Sequence, residues 1–386
     1  MFINSIHKSY VVLSKHKLRK QINLWNKYLP DISPYYAIKS NNNRVLISNM
    51  IEIFGEKKVG FDCASIMEMD SVRKINKRVP ILYAQPCKTL LDISKSEEKG
   101  VRATVVDSPE EMQKLGKSSW KSNTFIRLAV PDHNSKQPFS KKFGSPLLWV
   151  PEILSIAKRY NMKVSGLSFH VGSECENPEQ FNKALKICRQ AMDIATQQKF
   201  HLETIDIGGG FLPTEANIMA IAKEIKLGQT QYFPTNVSSS GKQIEWIAEP
   251  GRFLSSPTQT LYTPIIGRKR GLPSNDVDAP ELRYTIHESI YGYFSNIPFD
   301  GQKLSFEIAY RKPTDLPYNV LNRTYRSILF GRTCDGADII ANNIKLPFLN
   351  EGDWLKIPNM GAYTNVTASE FNGFPKPEMI YEDEHI

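Results

Sequence analysis

Between residues 35 and 250, short apolar runs alternate with longer stretches whose apolar residues recur at helical spacing. The runs at 35–38, 59–61, 81–84, 103–106, 124–128, 164–169, 204–207 and 244–248 predict strands, and 66–75, 109–115, 151–160 and 178–198 predict helices between them. Ser108-Pro109-Glu110-Glu111 has the chemistry of a helix start. It supplies an N-cap hydroxyl, a proline in the first turn and acids near the positive end of the helix dipole. Eight such strands alternating with helices over about 215 residues predict a (β/α)8 TIM barrel. A doubly wound open sheet is the other arrangement of such units, and the regular repetition favours closure.

Beyond residue 258 the pattern changes. Strand-like runs at 281–287, 304–308, 325–330 and 353–357 are separated by turns rich in Gly, Pro and Asn, and predict a mostly antiparallel β domain over 259–386. The run at 9–13 is also strand-like. An N-terminal strand within 1–14 is therefore expected to join that sheet, with the barrel over 15–258 inserted between the two parts.

Composition narrows the class. A chain of 386 residues, 41% hydrophobic and 23% charged, has room for two domains of ordinary soluble composition. No stretch approaches the ~20 apolar residues that a membrane span needs. The segment beginning Met1-Phe2-Ile3-Asn4 lacks a signal peptide's long apolar core, so a cytoplasmic protein with no membrane partner is expected. Cys63, Cys87, Cys175, Cys188 and Cys334 are odd in number and have no Cys-x-x-Cys spacing, which argues against a disulfide framework and a structural metal site. Without a secretion signal the sequons at Asn236, Asn322 and Asn365 read as chance matches. The net charge of +9 would suit a nucleic-acid partner, but the basic residues are scattered. The dense cluster Arg268-Lys269-Arg270 reads as a solvated loop, and no nucleic-acid partner is expected.

In a barrel, chemistry gathers at the C-terminal ends of the strands. The predicted strands lead into Lys39, Asp62, Asp107, His170, Gly208-Gly209-Gly210 and Glu249, and Arg127 lies near the end of another. Three glycines let backbone amides approach a phosphate, and Glu249-Pro250-Gly251-Arg252 adds a tight turn and a cation after the eighth strand. Alone, the glycine triple is equally a flexible turn. Its place after strand seven suits the phosphate sites that barrels build from the last loops. A strand-end lysine such as Lys39 is by itself more often a surface residue. In a pocket such a lysine can lose its proton and form a Schiff base, and Glu249, ending a strand across the barrel, could face the same cofactor; were that pyridoxal phosphate, the carboxylate would keep its ring nitrogen protonated.

Together the motifs carry a resemblance. They are Tyr36-Ala37-Ile38-Lys39, Gly60-Phe61-Asp62-Cys63-Ala64-Ser65, Tyr83-Ala84-Gln85-Pro86-Cys87-Lys88, Ser168-Phe169-His170-Val171-Gly172-Ser173 and Asp206-Ile207-Gly208-Gly209-Gly210-Phe211. Glu249-Pro250-Gly251-Arg252, Cys334-Asp335-Gly336, Gly361-Ala362-Tyr363-Thr364 and Phe371-Asn372-Gly373-Phe374 follow in order. The chain resembles the ornithine decarboxylase family, the eukaryotic-type, alanine-racemase-like pyridoxal-phosphate decarboxylases, over nearly its whole length.

The resemblance implies pyridoxal 5'-phosphate as cofactor and roles for individual residues. Lys39 matches the Schiff-base lysine, His170 the residue stacked on the pyridine ring and Glu249 the partner of the ring nitrogen. Ser173, Gly208, Gly209, Gly210, Gly251, Arg252 and Tyr363 match the phosphate-binding region, and Asp62, Glu68 and Arg127 surround the cofactor. Cys334 and Asp335 match a pair contributed by a second subunit of a homodimer, the cysteine to protonate the substrate's α-carbon and the aspartate to bind substrate.

Substrate choice in the family rests on a segment that here runs from Tyr291 to Asp300, and Phe371 is placed with Tyr291 among the substrate contacts. Asp300 matches the acid that, with Asp335, binds the distal ammonium of ornithine. Arginine, lysine and diaminopimelate are the other substrates of related enzymes. An inactive regulator-binding homologue is the rival from another class. Arg332 stands where the family usually has proline, Pro298 falls inside the specificity segment and Phe299 replaces a usual tyrosine. The short stretch after Phe374 lacks the long degradation tail of animal relatives, so regulation by antizyme is not assumed.

Overall fold

Each barrel strand is apolar enough to be buried on both faces, the pattern required of a parallel sheet covered by helices. In the computed structural model, which describes residues 8–118, 120–132, 135–271 and 280–383, the chain divides into two compact units. The first is Leu18–Leu254. The second takes in the described parts of Met1–Lys17 and Ser255–Ile386.

The first unit is built on a closed barrel of parallel strands: β2 (Ile32–Ala37), β3 (Gly60–Cys63), β4 (Ile81–Tyr83), β5 (Ala103–Val106), β6 (Asn123–Arg127), β8 (Val164–Ser168), β10 (Thr204–Asp206) and β11 (Glu245–Ala248). Strand β11 closes on β2, with Trp246 opposite Ile32. Tyr35, Leu82, Ala103, Val105, Phe125 and Ile247 pack together as a buried cluster. Around the strands lie α1 (Lys15–Tyr28), α2 (Arg44–Phe54), α3 (Ile66–Ile75), α4 (Leu90–Glu98), α5 (Pro109–Lys117), α6 (Val150–Arg159), α7 (Glu179–Gln197) and α8 (Glu215–Tyr232). The Ser108 hydroxyl accepts from the Glu111 N–H at 3.1 Å, so α5 starts where its capping chemistry predicts.

Two details of the first unit differ from the sequence pattern. Strand β2 begins at Ile32 rather than 35, because Pro34 is accommodated within it, and residues Ile38–Ser40 leave the strand as a 3-10 turn. A short antiparallel pair, β7 (Ser135–Gln137) with β9 (Ser173–Cys175), projects from the loops after β6 and β8.

The second unit is a mixed, mainly antiparallel sheet in the order β14 (Glu307–Tyr310), β17 (Trp354–Ile357), β12 (Gln259–Arg270), β13 (Leu282–Ile286), β15 (Thr324–Phe330) and β16 (Ile339–Pro347). Strand β1 (Tyr10–Ser14) runs antiparallel to β12 and parallel to β18 (Glu378–Glu382). Residues 1–7, where the expected N-terminal strand begins, lie outside the described residues, as do 272–279 and 384–386. The strand expected at 304–308 is displaced to β14, because Leu304 and Phe306 pack onto the apolar core without pairing.

Arg268, Lys269 and Arg270 are not a loop. They form the outer end of β12, where Arg268 lies 4.1 Å over the Phe348 ring and donates to the Leu349 carbonyl at 3.0 Å. All five cysteines are free thiols. Among the described residues no helix is long and apolar enough to cross a membrane.

Candidate functional site

Lys39 sits in the turn that follows β2. Ser40 donates to the Tyr36 hydroxyl at 3.0 Å and to the Ala37 carbonyl at 2.9 Å, and Tyr36 donates to the Asn41 carbonyl at 2.9 Å. These buried bonds fix the turn while leaving the lysine itself exposed at the barrel mouth. Its Nζ lies 3.9 Å from Oδ2 of Asp62, a buried residue on the neighbouring strand β3. Gly251 closes the other side: a Cβ there would stand 3.1 Å from that of Ser40, so a side chain would crowd the lysine turn and force its neighbour to shift.

Carboxyl groups crowd this mouth. Burial, reinforced by Glu249 and opposed by Lys39, pushes Asp62 up to about 8. Burial first and Glu249 second also raise Asp206, whose other oxygen accepts from the Gly208 N–H at 2.9 Å. Burial raises Glu68, although its carboxylate accepts from the Ala64 N–H at 2.6 Å. Arg127, held 4.8 Å from the Phe143 ring, is a nearby cation. Carboxyls that resist ionisation together favour a further positive charge among them.

His170 follows β8. Burial, with Arg127 and Lys39 nearby, holds its imidazole well below the usual value, so the ring is neutral at pH 7. Its Nδ1 accepts from the Gly172 N–H at 2.9 Å, which assigns the proton to Nε2. The Phe139 ring meets it edge-on at 4.8 Å. A Cβ on Gly209 would stand 2.8 Å from Nε2 and 2.9 Å from the Glu249 carbonyl oxygen, so the glycine triple passes directly beneath the imidazole.

The loops after β8 and β11 meet at Arg252, and the loop after β10 bonds to β9 beside them. Arg252 Nη2 donates to the Ser173 hydroxyl at 3.4 Å, and its Nε lies 3.4 Å from Oε1 of Glu174. Gly210, at φ 110°, lets its carbonyl accept from the Cys175 N–H at 3.0 Å. A cation, a hydroxyl and glycine-rich backbone converge here, a donor set suited to a phosphate. Asp107 serves another purpose: its carboxylate accepts from the Gly144 N–H at 3.0 Å and pins the loop after β6.

The second unit gathers a smaller group. The Tyr291 hydroxyl donates to the Asp335 carboxylate, and its ring lies 4.4 Å from that of Phe371. The Ala337 N–H, 2.9 Å from the other Asp335 oxygen, and the Tyr291 hydroxyl hold that carboxyl below its usual range. Cys334 is exposed, with its N–H donating to Asn372 Oδ1 at 3.1 Å. Asp300 is the buried last residue of α9 (Asn296–Asp300), a helix that contains Pro298 and exposes Phe299. Arg332 lies 4.5 Å over the Phe374 ring and donates to the Pro375 carbonyl at 2.9 Å. Tyr363 occupies a left-handed turn, φ 56°.

Thus the barrel brings Lys39, Asp62, Glu68, Arg127, His170, Ser173, Gly208–Gly210, Glu249, Gly251 and Arg252 to one rim, and the β unit brings Tyr291, Cys334, Asp335 and Phe371 together. Asp206, Phe139 and Glu174 were not singled out from sequence. Asp206 carried a signal, a carboxylate ending its strand directly before the glycine loop.

The acid cluster has a measurable consequence. A carboxyl whose native pKa lies above its unfolded value binds its proton more tightly in the folded chain. For Asp62 that stabilisation is complete below about 4 and is lost as pH rises through about 8. Asp62→Asn in the cofactor-free protein should therefore gain stability on the wild type across that window. Thermal midpoints of both proteins from pH 4 to 8 test it, and a constant difference would contradict it.

Comparison with known proteins adds four likenesses. Residues 15–256 match the family described as pyridoxal-dependent decarboxylase, pyridoxal binding domain. The chain is 36% identical over 383 residues to ornithine decarboxylase of Mus musculus, covering 96% of this chain and 78% of that protein. It is 34% identical over 365 residues to antizyme inhibitor 2 of Xenopus laevis, covering 92% and 76%. A solved structure of the Paramecium bursaria Chlorella virus arginine decarboxylase bound to agmatine superposes with a TM-score of 0.86 at 31% identity, covering 97% of each chain.

Proposed function

The chain belongs to the pyridoxal-dependent decarboxylase family that includes ornithine decarboxylase, and we propose that it converts L-ornithine to the polyamine precursor putrescine, in the cytoplasm and as a homodimer. The broader activity, decarboxylation of a basic amino acid with pyridoxal phosphate, follows from the family and from relatives alike over nearly the whole chain.

The barrel rim fits the cofactor. Burial and the neighbouring Glu249 carboxylate raise both Asp62 and Asp206, so a protonated ring nitrogen would supply the positive charge this group favours. Neutral His170 offers a flat ring face, and Gly208–Gly210, Gly251, Ser173 and Arg252 offer the phosphate donors, with Tyr363 added by resemblance. When bound, pyridoxal phosphate supplies the electron sink for the pair left by departing carbon dioxide. Lys39 Nζ would be the amine that holds the cofactor, and Glu249 would be the carboxylate that pairs with its ring nitrogen. Asp62, Glu68 and Arg127 set the field around them. Cys334 Sγ delivers a proton to the substrate's α-carbon, from the second copy of the chain.

The observation that carries the substrate reading is the Tyr291–Asp335–Phe371 arrangement. Each Asp335 oxygen already accepts one donor, and an aromatic ring lies beside the tyrosine. A point-charge ammonium needs a single further acceptor direction. A guanidinium prefers both oxygens in parallel. Asp300 would complete the site as a short acid with room for ornithine's tail. Carbon dioxide release from ornithine, lysine, arginine and diaminopimelate tests the proposal. Ornithine should lead by at least about tenfold in kcat/KM, the scale of one methylene or a mismatched head group. A lead by arginine or lysine would overturn it. No release from any of the four, in protein lacking the cofactor's visible absorbance, would favour the inactive-homologue reading.

Asp300 provides a narrower test. Asp300→Ala should lower kcat/KM for ornithine by about a hundredfold, the usual cost of removing one partner of a desolvated charge pair. Cofactor affinity should change little. Unchanged turnover at subsaturating ornithine would show that another group reads the distal amine.

A further inference from the structure

The phosphate-binding rim contains an anion of its own. Glu174 directly follows Ser173, and its carboxylate is bound by two cations. Oε1 lies 3.4 Å from Arg252 Nε and Oε2 lies 3.2 Å from Lys136 Nζ. The Arg252 side chain is 7% exposed and that of Glu174 13%, so the pair is largely shielded from solvent. Glu174 also stands at φ 50°, a left-handed conformation that costs a residue with a Cβ and persists only where its surroundings impose it. They do so here. Ser173 and Cys175 on either side pair with Gln137 and Ser135, and the Cys175 N–H is bound to the Gly210 carbonyl.

We propose that Glu174 is an internal competitor for the cofactor's phosphate. Its carboxylate holds Arg252 in the cofactor-free protein and yields that arginine when the phosphate arrives, keeping Lys136. The inference rests on reading Arg252 and Ser173 as phosphate ligands. Charge and geometry support it. The phosphate brings about two negative charges to the arginine that the carboxylate already neutralises. Both anions cannot hold the buried guanidinium at the same edge without repulsion. Lys136, across the two-stranded pair on β7, gives the displaced carboxylate a second partner, so yielding Arg252 does not strand a charge. The net effect is a cofactor held less tightly than the donor set alone would allow, and a guanidinium kept in place while the site is being loaded.

A purely structural Glu174, stapling the β7–β9 pair to the barrel, makes the opposite forecast: loss of its charge would loosen the rim and weaken binding of any ligand. The test uses the full chain stripped of cofactor and titrated with pyridoxal phosphate, and separately with pyridoxal, by visible absorbance. Glu174→Gln should bind pyridoxal phosphate about tenfold more tightly, the scale expected for removing one like charge a few ångströms away in a partly solvated site. Pyridoxal, which lacks the phosphate, should bind wild type and variant equally. Glu174→Gly, which also relieves the left-handed backbone, should bind pyridoxal phosphate at least as tightly as Glu174→Gln. Unchanged or weaker binding of pyridoxal phosphate by Glu174→Gln, or an equal change for pyridoxal, would overturn the proposal. Arg252→Ala separates the two levels. It should weaken pyridoxal phosphate and spare pyridoxal. If it leaves pyridoxal phosphate binding unchanged, the phosphate assignment itself fails.

Discussion

Replacing Lys39 with alanine should lower carbon dioxide release by at least about a thousandfold, the scale of losing covalent attachment and proton transfer from one amine. Borohydride reduction of the wild-type protein with bound cofactor should tag Lys39 in peptide maps, and the variant should carry no tag there. Lys88 is the serious competitor, because burial lowers its amine to about 8, the range of a reactive lysine. Its surroundings argue otherwise. Lys88 Nζ donates to the carbonyls of Gln85, Pro86 and Val105 at 3.0, 3.2 and 2.7 Å and lies 3.1 Å from Glu111. Every proton of that ammonium is engaged, and its side chain is 0% exposed. Lys88 therefore ties the loop after β4 to β5, while Lys39 faces the open mouth beside Asp62. A label on Lys88, or on any lysine but Lys39, would refute the assignment.

The barrel was legible because strands buried on both faces read as unbroken apolar runs, and Gly, Pro and cap residues bound them. The second unit was harder for identifiable reasons. Strand β12 carries Pro264 in its middle, a register shift between Ile265 and Gly267, and an exposed basic end. Each of those features reads locally as a break. Strand β16 contains Asn342-Asn343, with Asn343 at φ 53°, which imitates a turn but is an irregularity between the Ala341 and Ile344 pairings with β15. Leu304 and Phe306 show the converse, apolar residues buried by packing rather than by pairing.

At the rim, residues set at strand ends announced themselves, because their neighbours in sequence form the strand that aims them. Lys39, Asp62, His170 and Glu249 belong to this class. Glu174 and Phe139 do not. Their importance lies in Arg252 and His170, contributed by other loops, and no local pattern encodes that meeting. Asp335 is intermediate. Its motif was visible, but the Tyr291 hydroxyl that shares its charge comes from a distant segment.

The shared-site arrangement has the sharpest signature. Lys39 belongs to the barrel unit, and Cys334 lies exposed on the β unit. If each catalytic centre takes its lysine from one copy and its cysteine from the other, Lys39→Ala and Cys334→Ala dimers are each defective at both centres. Random exchange of subunits between equal amounts of the two makes about half the dimers mixed. In a mixed dimer one centre collects both lesions and the other collects both intact residues. About half the dimers then hold one working centre of two, and activity should recover to about a quarter of wild type. Affinity capture of differently tagged subunits measures the exchange, and carbon dioxide release measures the recovery. If both residues came from the same chain, every centre would still hold one lesion. Full exchange without recovered activity would then place Lys39 and Cys334 in one subunit and end the shared-site reading.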